Sequence, residues 1–126
     1  MLCIYNMIVY LLNDCSTFHC GSAKVTHEIK SLITNTYPEA SLKVYPSSTN
    51  DLKFIPNVHD IIIINGEGTF HDHCKKFIKN LRYIFKFNCA KILLNSVCQN
   101  ITIEKKYIEQ FQKIYVREPF SMAYME

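Results

Sequence analysis

Several features that define common protein classes are missing from this chain. No two of its six cysteines are spaced as C-x-x-C, it has only three glycines, and its lysines are scattered rather than gathered in a basic run. With a formal net charge of only +3, the spread of charge argues against a nucleic-acid-binding surface. The glycines form neither G-x-G-x-x-G nor a P-loop, so a dinucleotide-binding domain is a weak alternative.

The apolar start of the chain, residues 1–14, lacks the features of a targeting segment. No positively charged region precedes its apolar residues and no A-x-A-like site follows them. It is too short to span a bilayer, and no longer apolar run occurs, so we expect no transmembrane segment and only peripheral membrane contact. A chain that is 48% hydrophobic builds a core without disulfides, and we interpret the cysteines as reduced thiols in a cytoplasmic protein.

Short apolar runs alternate with amphipathic stretches along the whole chain. Continuous apolar runs are typical of parallel strands covered on both faces, so we predict one α/β lobe, Rossmann-like and doubly wound, with a mainly parallel five-stranded sheet. The predicted strands are Ile4–Leu12, Ser41–Tyr45, Ile61–Asn65, Ala90–Asn95 and Ile114–Val116. The predicted helices are Ser22–Thr36, Phe70–Phe87, Ile103–Gln112 and Pro119–Glu126, with a loop over Pro46–Asn57.

The helical spacing also predicts which side chains face the core. On the first helix these are Val25, Ile29, Leu32 and Ile33, and on the second they are Phe77, Leu81, Ile84 and Phe85.

Polar residues follow each of four predicted strands. They are Asn13-Asp14, Asn65-Gly66-Glu67-Gly68, Asn95-Ser96 and Arg117-Glu118. In open α/β sheets ligands bind beyond the carboxyl ends of the strands, so this edge is the predicted site.

The segment DIIIINGEGTFHD carries the main candidates for chemistry. Gly66 and Gly68 are expected to adopt positive φ, with a helix starting near Thr69 or Phe70. A carboxylate at Glu67 repels an anion but accepts a hydrogen bond from a sugar hydroxyl, and His71 is a candidate proton donor or sugar ligand. The alternative is that the glycines only form a turn and Glu67 caps the helix.

Three further groups are candidates for chemistry. In the cluster of His71, His73 and Cys74, His71 and Cys74 share a predicted helix face, but a third and a fourth ligand are not evident nearby in sequence, so no metal site is predicted. His19 follows the first strand and could be paired with Cys15 or Cys20, but sequence neighbours rarely have the geometry of a Cys–His nucleophile. Arg117 either clamps a carboxylate or phosphate or, together with Glu118, forms structural ion pairs that fix the next helix.

Four segments in order resemble the polysaccharide pyruvyl transferase family. They are "ND…H-x-G-S", "INGEGTFHD", "LLNSVCQN" and "YVREPFSMAYM", and they are spread in this order along nearly the whole chain. The resemblance implies a two-lobed, glycosyltransferase-B-like fold. It also implies transfer of a pyruvyl group from phosphoenolpyruvate to a sugar hydroxyl, in the biosynthesis of cell-surface polysaccharides.

The resemblance suggests roles for particular residues. Glu67 and His71 are the candidate catalytic residues, and no cofactor is expected. The candidate substrate-binding residues are Asn13, Asp14, His19, Asn65, Gly66, Gly68, Thr69, Asn95, Gln99 and Arg117.

The chain also departs from the family pattern. The family's second lobe carries a G-R-x-H segment that is absent here, so we expect the N-terminal lobe alone and an incomplete phosphoenolpyruvate site. An apolar flank left bare by a missing lobe predicts self-association. Two other functions stay open: a non-catalytic module that binds a sugar or a partner lobe, and half of a sugar-nucleotide glycosyltransferase.

Overall fold

The computed structural model describes residues 6–17, 20–71, 75–99, 107 and 109–116, with side chains at most of these positions. This part of the chain contains five strands and two helices. The strands are β1 Ile8–Asp14, β2 Ser41–Pro46, β3 Ile61–His71, β4 Ala90–Gln99 and β5 Lys113–Val116. The helices are α1 Cys20–Thr36 and α2 Lys75–Ile84.

The five strands form one parallel sheet in the order β2-β1-β3-β4-β5. This confirms the predicted Rossmann-like, doubly wound α/β fold. The chain passes from β1 outward to β2, and from β3 outward in the other direction to β4 and β5. The order therefore reverses between β1 and β3, which is where sheets of this type leave a crevice at their carboxyl edge.

The four isoleucines of β3 explain why the sheet is covered on both faces. Successive side chains of a strand point to opposite faces. Ile61 and Ile63 belong to the same core cluster as Ile29 and Ile33 of α1. Ile62 and Ile64 lie in the other cluster, with Phe77, Leu81 and Ile84 of α2. Each fully buried isoleucine stabilises the fold by roughly 1.5–3 kcal/mol, so this short run ties both helices to the sheet.

The longest departure from the predicted elements is at the end of β3. The strand was expected to stop at Asn65 with a helix from Phe70, but it runs on to His71, and the described part of α2 is Lys75–Ile84. The pairing with β4 explains this, because it continues through Glu67 with Ser96 and His71 with Gln99. β4 likewise extends to Gln99 rather than ending at Asn95.

Other boundaries were predicted more closely, and α1 and β2 differ from the expected spans by two residues or fewer. The predicted start of β1 at Ile4 is wrong, because the strand begins at Ile8, and it ends at Asp14, two residues beyond its predicted end. In α1 the prediction for Leu32 is wrong, because its side chain is 57% exposed whereas Ile29 and Ile33 are buried. The second helix presents Phe77, Leu81 and Ile84 to the core as expected.

The later elements are described only in part. Tyr107 is helical, but residues 109–112 are not, so the predicted Ile103–Gln112 helix does not reach its expected end. Phe111 is nevertheless buried and packs edge-on against Phe85. The helix predicted over Pro119–Glu126 lies outside the described residues.

Residues 47–60 link β2 to β3 without a helix or strand, in agreement with the predicted loop. Leu52 is buried in the α2-side core, and the ring of Phe54 stacks on Tyr10 with the ring centroids 4.2 Å apart. The Tyr83 hydroxyl of α2 donates a hydrogen bond to the Phe54 carbonyl. These contacts replace the packing that a crossover helix would supply.

Among the described residues, no helix combines the length and the hydrophobicity that a bilayer-spanning segment requires.

Candidate ligand site at the carboxyl edge

Three neighbouring strands carry a residue in the left-handed backbone region near their carboxyl ends. Asn13 on β1 has φ 64°, Glu67 on β3 has φ 47°, and Asn95 on β4 has φ 53°. Asparagine tolerates this region better than most residues, whereas glutamate rarely adopts it. Backbone strain of this kind costs of order 1–3 kcal/mol per residue and clusters at ligand and active sites.

Side-chain amides hold these strand ends together. The Asn13 Nδ2 group donates to the Asn65 carbonyl at 2.6 Å, and the Asn65 Nδ2 group donates to the Asn13 carbonyl at 3.4 Å. On the other side, Asn95 Nδ2 donates to Asn65 Oδ1 at 3.0 Å. The three predicted substrate-binding asparagines are thus brought together, and their amides are engaged with one another. Asn65, only 1% exposed, lies at the centre.

A glycine is required at position 66 because a side chain would not fit there, and not because of its φ angle. Its φ is not positive, which corrects the prediction, and the left-handed residue is Glu67 instead. A Cβ atom at Gly66 would lie 2.7 Å from Ser96 Cβ and 2.8 Å from Ser96 Cα. The absence of a side chain therefore lets β3 and β4 approach closely, one residue before Glu67.

Glu67 lies at the crevice between β1 and β3. It is partly exposed, although one of its carboxylate oxygens, Oε1, is buried. Burial, and after it the negative charge of Glu67, raise the pKa of the Cys15 thiol to about 11. The same thiol donates a hydrogen bond to the Asn13 carbonyl at 3.3 Å. The Glu67 carboxylate is therefore close to the end of β1, where a ligand hydroxyl could reach it.

Asp14 is the last residue of β1 and has partners in the following loop and on α1. Its Oδ1 atom accepts a hydrogen bond from the Ser16 N–H at 2.9 Å, and its Oδ2 atom lies 3.4 Å from Lys30 Nζ. Partial burial alone would raise the pKa of Asp14, but the hydrogen bonds from Ser16 and the Lys30 charge outweigh it and lower this pKa. Asp14 is thus an ionised group with local partners that fix the start of the loop after β1.

Among the described residues, β3 and β4 alone continue to pair beyond Glu67, and this stretch is called the ribbon below. The described pairing of β1 with β3 ends at Ile64, and that of β4 with β5 ends at Ser96. The pairing of β3 with β4 goes on to Gln99, with a register shift between Glu67 and Phe70. At about 3.3 Å per residue, the three residues from Ser96 to Gln99 advance the ribbon by about 10 Å.

The ribbon decides where several predicted residues lie. Gly68, Thr69 and His71 belong to β3 rather than to a turn and helix, and His71 pairs with Gln99. The backbones of Glu67 and His71 are on the same edge of the sheet, separated by the length of the ribbon. The helix predicted to start near Thr69 or Phe70 does not form at these positions, because both residues belong to β3, and the described part of α2 is Lys75–Ile84.

Four of the residues considered as candidates lie outside the described part of the chain. They are His19, His73, Cys74 and Arg117. Within the described ranges, no group of histidine, cysteine and carboxylate side chains is arranged to hold a metal ion.

A cavity of about 450 Å³ lies away from these polar residues, on the α1 side of the sheet. Its walls are mostly apolar and include Leu32, Ile63, Ile92, Leu94 and Tyr115, with Lys113 as the charged residue among them. Among the described residues, no carboxylate or imidazole lines this cavity. The acid–base candidates therefore remain at the carboxyl edge.

The sequence did not place Cys15 or Ser47 in the site, and it indicated Ser96 only as one of the polar strand ends. Cys15 was considered only as a nucleophile, whereas its thiol is buried against the Asn13 carbonyl. Ser47, directly after β2, contacts the Cys15 thiol by a side-chain hydrogen bond. Ser96 is buried and lies against Gly66. Their positions directly after apolar strands were the available signal, and small polar residues there are easily overlooked.

No protein-family model matches this sequence, and no curated protein or solved structure is significantly similar to it. The family resemblance therefore depends on the four sequence segments alone.

Proposed function

We propose that this chain is the acceptor-binding lobe of an enzyme similar to polysaccharide pyruvyl transferases. In this proposal a sugar hydroxyl binds at the carboxyl edge and receives a pyruvyl group from phosphoenolpyruvate. The protein acts in the cytoplasm on a glycan destined for the cell surface. Neither a metal nor another cofactor takes part.

One observation carries the proposal. Glu67 has a left-handed backbone conformation at the β1–β3 crevice, and its carboxylate lies close to Cys15. This is the point at which the strand order reverses, and ligands of doubly wound sheets bind there. A carboxylate in such a crevice is suited to accept a hydrogen bond from a neutral hydroxyl. It is poorly suited to bind the phosphate of the donor directly.

The reaction gives Glu67 the role of general base. Protonation of the phosphoenolpyruvate methylene makes the adjacent carbon electrophilic, and the sugar oxygen attacks it while Glu67 accepts the hydroxyl proton. Attack by a second hydroxyl and departure of phosphate complete a ketal. Of the two hydroxyl protons, one replaces the proton given to the methylene carbon and the other leaves with phosphate. His71, on the same edge, is the candidate acid.

The test is phosphate release from phosphoenolpyruvate by this chain combined with the second lobe of a related enzyme, which supplies the G-R-x-H segment, with and without oligosaccharides that carry pairs of free hydroxyls. The proposal predicts release that depends on the acceptor, and its loss in Glu67→Gln. Glu28→Gln is the matched control, because Glu28 is an exposed glutamate on α1. Release at the wild-type rate by Glu67→Gln would remove Glu67 from the chemistry.

A second candidate is sugar binding without transfer. It is favoured by the amide network, because Asn13, Asn65 and Asn95 bond to one another and form a preorganised polar edge without any reacting group. Carbohydrate binding that depends on Glu67, without phosphate release under any acceptor condition, would establish this function instead. Half of a sugar-nucleotide glycosyltransferase is distinguished by binding of a nucleoside diphosphate sugar.

Self-association remains a further proposal for this lobe. The exposed side chains of Leu32 and Tyr115, both on the wall of the apolar cavity, are the described surface on which to test it. Sedimentation over a range of concentrations measures it directly.

A further inference from the structure

The side chain of Asn65 is the point at which three strands meet. Its Nδ2 group donates to a carbonyl of β1 and its Oδ1 atom accepts from an amide of β4. Its own carbonyl accepts a third hydrogen bond, from Asn13 Nδ2. At 1% exposure the side chain is shielded from water, so these bonds are the ones that satisfy it.

On each of the two strands that Asn65 bridges, the residue bonded to Asn65 has a left-handed backbone conformation. Asn13 and Asn95 have φ values of 64° and 53°. Without a bond to a fixed partner, each residue would lower its free energy by returning to an ordinary extended or helical conformation. The bonds of Asn65 oppose this on both sides at once.

The network extends directly to the crevice. The Asn13 carbonyl that accepts from Asn65 also accepts from the Cys15 thiol. Glu67 follows Asn65 by two residues, beyond a glycine pressed against Ser96. The place of Glu67 relative to β1 is therefore coupled to the amide of Asn65 through both the backbone and the Asn13 carbonyl.

We propose that Asn65 is a positioning residue: its amide, bonded to β1 and β4, fixes the Glu67 carboxylate against the end of β1. Asn65 touches no ligand in this role. The inference goes beyond the proposed function, because it concerns the geometry of the edge and holds whichever ligand Glu67 meets.

A double-mutant cycle in the full chain tests the coupling, with the Cys15 thiol as reporter. Its pKa is followed by the ¹³Cβ resonance of Cys15, assigned by its loss in Cys15→Ser. In the wild-type background Glu67→Gln should lower this pKa, because a nearby negative charge is removed. In the Asn65→Leu background the same substitution should lower it by less than about half as much.

A conservative variant gives an independent readout. In Asn65→Asp a protonated carboxyl group reproduces both the donor and the acceptor of the amide, whereas the ionised form loses the donor. The backbone amide resonances of Asn13, Glu67 and Asn95 in the variant should therefore match wild type at low pH and diverge as the new carboxyl ionises. A side chain that merely fills space would give no such pH dependence.

Each possible result either supports or overturns the role of Asn65. A reduced Glu67–Cys15 coupling in folded Asn65→Leu, or a pH-dependent return of the three resonances in Asn65→Asp, supports the proposal. An undiminished coupling in folded Asn65→Leu overturns it. If Asn65→Leu does not fold, the Asn65→Asp titration decides, and resonances that differ equally from wild type at every pH overturn the proposal. Neither measurement involves phosphoenolpyruvate, so failure of the proposed reaction leaves the result intact.

Discussion

Asn13 and Asn65 exchange two hydrogen bonds across the reversal point of the sheet, each side-chain amide donating to the other residue's carbonyl. The residues are 52 positions apart in sequence. This exchange joins the end of β1 to β3 after their regular ladder has stopped at Leu12 and Ile64. It keeps the crevice edges at a fixed separation, and the crevice is where Glu67 lies.

The left-handed conformation of Asn13 predicts an unusual order of stability for its substitutions. Asn13→Gly should be more stable than Asn13→Ala by about 1 kcal/mol, because alanine is strained at positive φ and glycine is not. Both variants lose the same amide, so their difference isolates the backbone. Urea denaturation followed by circular dichroism measures it.

Ser31 supplies the matched control for this comparison, because it is exposed in the interior of α1. There the order should be reversed, with alanine more stable than glycine by about 0.8–1 kcal/mol. The same order at Asn13 as at Ser31 would contradict the left-handed backbone.

The contact between Gly66 and Ser96 predicts a steric penalty at Gly66. Gly66→Ala should destabilise the fold by roughly 1–3 kcal/mol, because its Cβ would overlap Ser96. Ser96→Gly should restore part of this loss, since it removes the Cβ and Oγ atoms of Ser96 but not its backbone. Gly21→Ala, in the exposed first turn of α1, should be neutral or stabilising. An additive result for the two substitutions would show that the contact is not tight.

The fold could be predicted from the sequence because each strand is indicated by its own short run of apolar residues. The run from Ile61 to Ile64 is apolar at every position, which is typical of a strand buried on both faces, and the structure buries all four residues. The same logic located the polar strand ends that form the candidate site. Residues such as Asn13 and Asn95 could be placed on one edge because parallel strands end together.

The sequence was insufficient where the outcome depends on a neighbouring strand. Gly66 and Gly68 suggested a turn, but pairing with β4 keeps β3 extended to His71. The amide partners of Asn65 lie on two other strands, so no local pattern could show that they are engaged. Leu32 has helical core spacing, yet α1 covers only part of the sheet and leaves it exposed.

The lowered pKa of Asp14 predicts a specific pH dependence of stability. A carboxyl whose pKa is lower in the folded than in the unfolded state contributes stability above the unfolded value, near pH 4, and loses it as the pH falls through the folded value. Asp14→Asn should therefore lose stability at neutral pH and little at the acid end of this range. Denaturation midpoints at a series of pH values measure the difference.

Lys30→Gln tests the cause of the Asp14 shift, because it removes the cation 3.4 Å from Asp14 and leaves the Ser16 bonds. The loss should be smaller than in Asp14→Asn, with the same pH dependence. Equal stability of wild type and Asp14→Asn across the whole range would be incompatible with the lowered pKa.

Cys15 should be almost inert to alkylation in the folded protein. With its pKa raised to about 11, only about one thiol in a thousand is ionised at about pH 8. Glu67→Gln should speed its reaction with iodoacetamide, because the nearby negative charge is removed. Glu28→Gln should leave the rate unchanged. Peptide-resolved mass spectrometry separates Cys15 from the other cysteines, and equal rates in both variants would place Glu67 away from the thiol.

The most direct test of the central claim, that a carbohydrate binds where Glu67 meets the end of β1, is a ¹⁵N-correlation titration of the labelled chain with hydroxyl-rich oligosaccharides. We predict saturable shifts of the Asn13, Cys15, Glu67 and Ser96 amides, absent in Glu67→Gln. Shifts confined to the opposite edge, around Asp60 and Lys91, or shifts that persist unchanged in Glu67→Gln, would contradict the account.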